Sequence, residues 1–380
     1  MEYTAINWED LNVTADLSYF ESENGTTEGH VMFRIKDPSA GTEDQFKSLE
    51  TAVERISRFG KLQNTQPIWK RYFVSDAVNQ VHLLNKEEKV AVSIVQQPPL
   101  DGSKVALWVY YVTGYDLSLD PDGTRVMQNT SYRHLYNTQL HLPEKNEFKE
   151  TQFIFDRYCK ILNHHGGNLK NNCIRTWIYV QGVDIHYKGM VEARKEYFRR
   201  ENLTENTHYI ASTGIEGKFT DPNVLVLMDA YGIEGIHRKQ INYLKAPTHL
   251  NPTSEYGVTF ERGTTVDYGD RRHIFISGTA SIDNKGNIVH PYDIGKQTER
   301  TLENIRTLLV EAEADWSDVA QLIIYLRDTG DALQVSQYLE SVCPSLPRVM
   351  VWAPVCRPGW LIEMECIAIK KITENLYASF

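Results

Sequence analysis

No run of apolar residues in this sequence approaches the ~20 that a membrane span requires. The acidic start, MEYTAINWED, lacks the apolar stretch of a signal peptide. A basic surplus is missing too: 40 Lys and Arg stand against 50 Asp and Glu, a net charge of −10. A protein that clamps a phosphate backbone presents a basic face, so neither nucleic acid nor membrane is expected as a partner. The five cysteines (Cys159, Cys173, Cys343, Cys356, Cys366) form no CxxC pair. Their odd number, without a signal, fits reduced thiols in the cytoplasm. The twelve histidines include no HExxH. His164-His165, beside Gly166-Gly167, read as a helix-ending loop, with metal ligation the lesser alternative. No metal and no organic cofactor is expected.

What is there is one pattern written three times. At 380 residues the chain exceeds one ordinary core, and internal repeats explain how it divides. A helix pattern recurs at 46–62, 150–162 and 296–312, apolar at helical spacing and polar outside. A strand pattern follows each at 68–76, 173–182 and 319–328, with a tyrosine at Tyr72, Tyr179 and Tyr325. A second, polar helix is clearest at 187–202 and 332–342, and each copy then closes with two strands joined by a turn. Opening hairpins at 125–142 and 257–281 start the second and third copies. The fold class is therefore α+β, with units expected at 1–118, 119–244 and 245–380. A sheet with helices on one face leaves its other face to be covered. Three such faces can meet about a pseudo-threefold axis, so one chain reproduces a trimer and is expected to be a monomer.

Side chains alternate faces along a strand. On the last strand, Ile362, Met364, Cys366 and Ala368 form an apolar set, leaving Glu363 and Glu365 on the face away from the helices. Carboxylates there are costly to bury unpaired, so they are either salt-bridged structure or function. Arg348, expected on the neighbouring strand, offers a bidentate cation, with Arg357 in a turn as the weaker candidate. On strand 174–180, Arg175, Trp177 and Tyr179 share a face. That face suits either the wall of a cleft for an anionic cyclic ligand or a packing seam between units.

The third unit resembles the YjgF/RidA family through FISGTASID (275–283), QTERTLENIRTLL, LIIYLRD and PRVMVWAP…WLIEMECIAI. In that family an arginine binds a substrate carboxylate and a glutamate fifteen residues later acts on the reacting group; Arg348 and Glu363 stand at that spacing. Further stretches at 174–180, 187–198, 210–215, 255–263 and 355–365 are similar to the chorismatase branch. That resemblance implies release of pyruvate from chorismate, with 3-hydroxybenzoate or a dihydroxy-cyclohexadiene carboxylate as the other product. It implies Glu363 as the acid and Cys356 as a pocket-shaping or proton-assisting thiol. It implies Arg348, Tyr256, Gly278 and Gly263 as substrate-binding residues, to which the cleft-wall reading of strand 174–180 adds Arg175 and Tyr179. Cys356 also reads as a small buried hydrophobe, and no flanking histidine suggests a thiolate nucleophile.

The closing strands of the first two units, VAVSIV with ALWVYYV and HYIAST with VLVLMDA, lack the Arg and Glu combination. One competent site per chain is expected, in the third unit against a neighbour. Two rival functions share its residues: an enamine or imine deaminase of the RidA type, and a non-catalytic binder of small molecules or RNA, the latter disfavoured by the acidic charge.

Overall fold

The computed structural model describes residues 1–23, 25–58, 60–84, 89–374 and 376–380, with the backbone alone for Tyr256. Three sheets of six strands are formed. The first holds β1 (Glu2–Trp8), β2 (Val13–Glu21), β3 (Thr27–Ile35), β4 (Gln66–Val74), β5 (Ala91–Gln96) and β6 (Val105–Val112), with helices α1 (Thr42–Ile56) and α2 (Ala77–Gln80). The second holds β7 (Asp116–Leu119), β8 (Arg125–Gln128), β9 (Arg133–His141), β10 (Cys173–Val180), β11 (Ala211–Glu216) and β12 (Val226–Glu234), with α3 (Glu147–His164), α4 (Leu169–Asn172) and α5 (Val183–Arg200). The third holds β13 (Ile241–Leu244), β14 (Gly263–Asp267), β15 (Arg271–Ala280), β16 (Val319–Leu326), β17 (Arg348–Trp352) and β18 (Ile362–Lys371), with α6 (Ile294–Glu311) and α7 (Ala332–Val342).

The helices form where the apolar spacing puts them. Asn146 and Asp293 cap α3 and α6 by accepting the backbone N–H groups of Lys149 and Lys296. The expected helix at 46–62 starts earlier and ends at Ile56; Phe59, within that span, lies outside the described residues. The second helix of the first unit is a single turn, α2, against eighteen residues in α5. Strands β7 and β13 pair with the sheets that follow them. The expected division after 244 assigns β13 to the preceding unit, and the one after 118 cuts β7 before its last residue.

Sheet order corrects one further expectation. The two closing strands of each unit are not paired with each other: β6, β12 and β18 lie in the sheet interior, while β5, β11 and β17 run parallel to β4, β10 and β16 beyond them. β16 therefore separates β17 from β18. The tyrosine repeat also shifts by one residue in the first unit. By register Phe73, not Tyr72, is the counterpart of Tyr179 and Tyr325, and successive residues of a strand face opposite sides. Tyr72 donates its hydroxyl to Glu50 on α1, whereas Phe73, Tyr179 and Tyr325 lie in the apolar cluster shared by the three units.

At the centre of that cluster is a buried ionic group. Arg175 Nη2 donates to Glu365 Oε2 at 2.7 Å and Trp177 Nε1 donates to Glu365 Oε1 at 2.8 Å. Arg71 of the first unit lies 3.5 Å from Asp229 of the second and 3.7 Å from Glu365 of the third. Its guanidinium sits over the rings of Trp177, Trp69 and Trp108 at 4.5, 5.2 and 5.3 Å. Breaking such a pair leaves a charge stranded in a medium that solvates it poorly. Glu365→Ala strands Arg175 and leaves Arg71 with Asp229 alone, and urea unfolding of this variant is expected to show a loss of about 3–5 kcal/mol. Arg55→Ala, which removes the exposed pair with Asp10, is expected to leave the urea midpoint nearly unchanged.

Candidate active site

Register shows how the three units correspond. Tyr325 pairs with Glu363, Tyr179 with Leu227, and Phe73 with Ala106. Two residues along, Glu365, Asp229 and Trp108 correspond, opposite Ile323, Trp177 and Arg71. The edge strands obey the same relation. Thr213 on β11 donates to Glu365 of the next unit, and Ser93 on β5 donates to Asp229 at 2.5 Å. Of the three equivalent positions, only Glu363 is an acid.

Glu363 lines a cavity of about 490 Å³, counting its open mouth, between the second and third units. Tyr187 and Arg194 on α5 and Ser212 and Gly214 on β11 form one wall. Gly278, Arg262, Cys356, Arg357 and Trp360 form the other. The second-unit wall is held by Glu216, which accepts the N–H groups of Gly182 and Val183 at 3.0 and 2.7 Å and so fixes the first turn of α5. A Cβ at Gly278 would lie 2.1 Å from Glu363 Oε1, so any other residue there displaces the Glu363 carboxyl. Its N–H donates to Thr213 Oγ1 at 2.9 Å, tying the cavity floor to the axial cluster.

Glu363 and Glu365 share a face and differ in surroundings. Glu365 is held by Arg175, Trp177 and Thr213. Glu363 is only 5% exposed. Burial, reinforced by the negative charge of Glu365, pushes its carboxyl up to about 8, with Arg175 and Arg262 acting in the opposite direction. Glu363 therefore holds a proton at neutral pH. Burial and the neighbouring Glu363 push the Cys356 thiol up to about 12, so it is present as a thiol, in contact with Tyr187.

The structure brings Glu363, Cys356, Gly278 and Arg357 together on the cavity and places Arg348, Arg175, Tyr179 and Gly263 elsewhere. Arg348 is on β17, with β16 between it and Glu363's strand. It pairs with Glu340 and donates to the Cys343 carbonyl at 2.7 Å. It lines a different cleft, between the third unit and Arg34, Leu100 and Asp101 of the first. By register Arg348 is the counterpart of Ser212, since Leu322 pairs with Arg348 as Thr176 pairs with Ser212. The Arg348 cleft and the Glu363 cavity are thus equivalent sites at different seams.

Arg175 and Tyr179 lie in the axial packing seam. Gly263 packs against Leu244 and the Phe275 carbonyl rather than on the cavity. Tyr256 ends the turn Thr253–Tyr256, and its side chain lies outside the described residues.

The cations on the cavity are Arg194, Arg262 and Arg357. Arg262 donates to the Asn251 carbonyl at 3.0 Å and side chain at 3.1 Å, Arg194 to Thr259 at 3.1 Å, and Arg357 sits over Trp360 at 5.4 Å. Arg194 and Arg262 stand in the stretches EARKEYF and FERG, the latter directly before Gly263. Helical Arg194 gave no strand alternation to mark it.

The family model described as Endoribonuclease L-PSP matches residues 265–370. A RutC family protein of Pyrococcus abyssi is 38% identical over 129 residues, covering 33% of this chain and 93% of the relative. The 3-aminoacrylate deaminase RutC of Acinetobacter baylyi is 32% identical over 97 residues, covering 25% of this chain and 77% of the relative. Among solved structures, a chorismatase aligns at a TM-score of 0.64 over 82% of this chain and 95% of its own, at 16% identity. At that identity the likeness is one of fold: the three-unit arrangement is shared.

A carboxyl protonated in the native state up to about pH 8 ionises at about 4.3 once unfolded. Between those values unfolding releases a proton, so this group makes stability fall as pH rises. Thermal melts from pH 5 to 8.5 are expected to decline less steeply for Glu363→Gln than for the parent. The variant should be the more stable of the two at pH 8.5.

Proposed function

This chain belongs to the RutC family, within the YjgF/RidA superfamily, and on that premise we propose that it is a chorismatase-like enzyme releasing pyruvate from chorismate with Glu363 as the acid. The observation carrying the proposal is a buried carboxyl, its pKa pushed up to about 8 by that burial, facing a cavity that three arginines line. Cleaving an enol ether begins with protonation of its terminal methylene carbon, and an acid whose pKa lies near working pH is suited to that step. Glu363 donates this proton and becomes a carboxylate. The oxocarbenium ion left on the ether carbon is stabilised by the new negative charge. Water, or a hydroxyl of the ring, adds to that carbon. After water adds, collapse of the hemiketal breaks the bond to the ether oxygen, giving pyruvate and a dihydroxy-cyclohexadiene carboxylate. After internal capture the cyclic ketal opens at the ether oxygen, the captured oxygen's bond to the ring breaks so that this oxygen becomes the pyruvate carbonyl, and loss of a ring proton gives 3-hydroxybenzoate with no water consumed.

Chorismate is a dianion, and planar guanidinium groups pair with carboxylates in bidentate fashion. Arg194, Arg262 and Arg357 supply that charge from both walls. Trp360 and Phe260 offer apolar surface for the ring. Cys356, held as a thiol, shapes the pocket beside the acid.

The deaminase likeness of the RutC relatives favours a second reading, in which a small imine is the substrate. Its usual arginine counterpart, Arg348, faces another cleft, which weighs against it. Incubation with chorismate, followed by pyruvate assay and mass spectrometry of the ring product, decides between them. Pyruvate release is expected, with kcat/KM falling as pH rises through about 8 because Glu363 loses its proton. Glu363→Gln is expected to lower kcat by about 10²–10⁴-fold. No pyruvate from chorismate, with accelerated decay of 2-aminoacrylate, would establish the deaminase instead.

A further inference from the structure

Away from the lining of the cavity, the helix-ending pair His164-His165 meets the β7–β8 turn. The α3 helix ends there because Gly166 takes φ +73, a left-handed conformation that glycine adopts freely. His164 and His165 then turn toward one carboxylate. Asp122 Oδ2 lies 3.2 Å from His164 Nδ1 and 3.1 Å from His165 Nε2. All three ligand atoms lie within 4.8 Å of one another.

We propose that Asp122, His164 and His165 bind a divalent transition-metal ion of the zinc class. Neutral imidazoles and a carboxylate suit that class. Zinc bonds of ~2.0–2.1 Å in a tetrahedron put neighbouring donor atoms about 3.3 Å apart, close to the two separations seen. Asp122 is aimed by its other oxygen, Oδ1, which accepts the Thr124 N–H at 2.9 Å. The second nitrogen of His165, Nδ1, faces Asp120 Oδ2 at 3.7 Å, and Arg133 holds Asp120 at 3.1 Å. A carboxylate behind a ligating imidazole is the usual support for such a ligand. His165 is buried while the His164 side chain is 65% exposed, so the fourth position opens to solvent and a water completes the shell. The ion would staple the C-terminal end of α3 to the hairpin that opens the second sheet.

The test uses the full chain, stripped with a chelator and titrated with Zn²⁺ by calorimetry, with Co²⁺ absorption as a second readout. One equivalent of Zn²⁺ is expected, together with visible bands of tetrahedral cobalt and a rise in melting temperature as zinc saturates. Asp122→Ala and His165→Ala are expected to abolish that binding, and Asp120→Asn to weaken it about 10–100-fold. Exposed His164→Ala serves as the variant that keeps the fold, and it too should lose the cobalt bands. Pyruvate release from chorismate, if present, should be unchanged in His164→Ala. Absence of stoichiometric Zn²⁺ binding, or binding that survives in His164→Ala and His165→Ala alike, overturns the proposal and leaves a hydrogen-bonded triad.

Discussion

Arg71, Arg175, Asp229 and Glu365 meet where the three units bury their bare sheet faces, and the rest of the molecule is arranged around that contact. One charge comes from the first unit, two from the second and one from the third. Charges taken out of water cost several kcal/mol each unless matched. The matching here requires all three sheets in register, so the cluster specifies how the units assemble. Its threefold logic is incomplete. Hydroxyls of Ser93 and Thr213 reach across two seams to a carboxylate, while the third seam has Val349 and Trp108 at the equivalent positions. The first seam resident, Arg71, is correspondingly wrapped by indole rings.

The candidate site is the outer end of the same construction. Glu363 and Glu365 are two residues apart on one strand, and the inner one takes the available cations and donors. The outer one is left with burial and a like charge nearby. Two carboxyls in contrasting surroundings titrate apart, which separates an acid from a counter-ion. Thr213 links the two regions, since its hydroxyl accepts from Arg175 and from the Gly278 N–H and donates to Glu365.

Divergence of the units explains why a pair read from a family spacing does not meet. In a trimer of identical units, every seam would contain the edge-strand residue of one unit and the interior-strand residue of the next. In this chain the seam with Glu363 has Ser212 at the edge position. The seam with Arg348 is followed by Ala106. Each half of the pair survives at a different seam, and the Glu363 cavity draws its cations from Arg194, Arg262 and Arg357 instead.

Much was legible in the sequence by itself: three α+β units, helices placed by apolar spacing, and the inward face of β18. These follow from local periodicity, which a strand or helix expresses wherever it lies. Tertiary structure alone decided which strand lies beside which, the one-residue shift at Tyr72, the fate of Arg348, and the choice of packing seam over cleft wall for Arg175 and Tyr179. It alone also set Glu363's proton and brought Asp122 to His164-His165. A fifteen-residue spacing measures distance along the chain, whereas strand order, burial and the charges of other units are set by contacts between residues far apart in it.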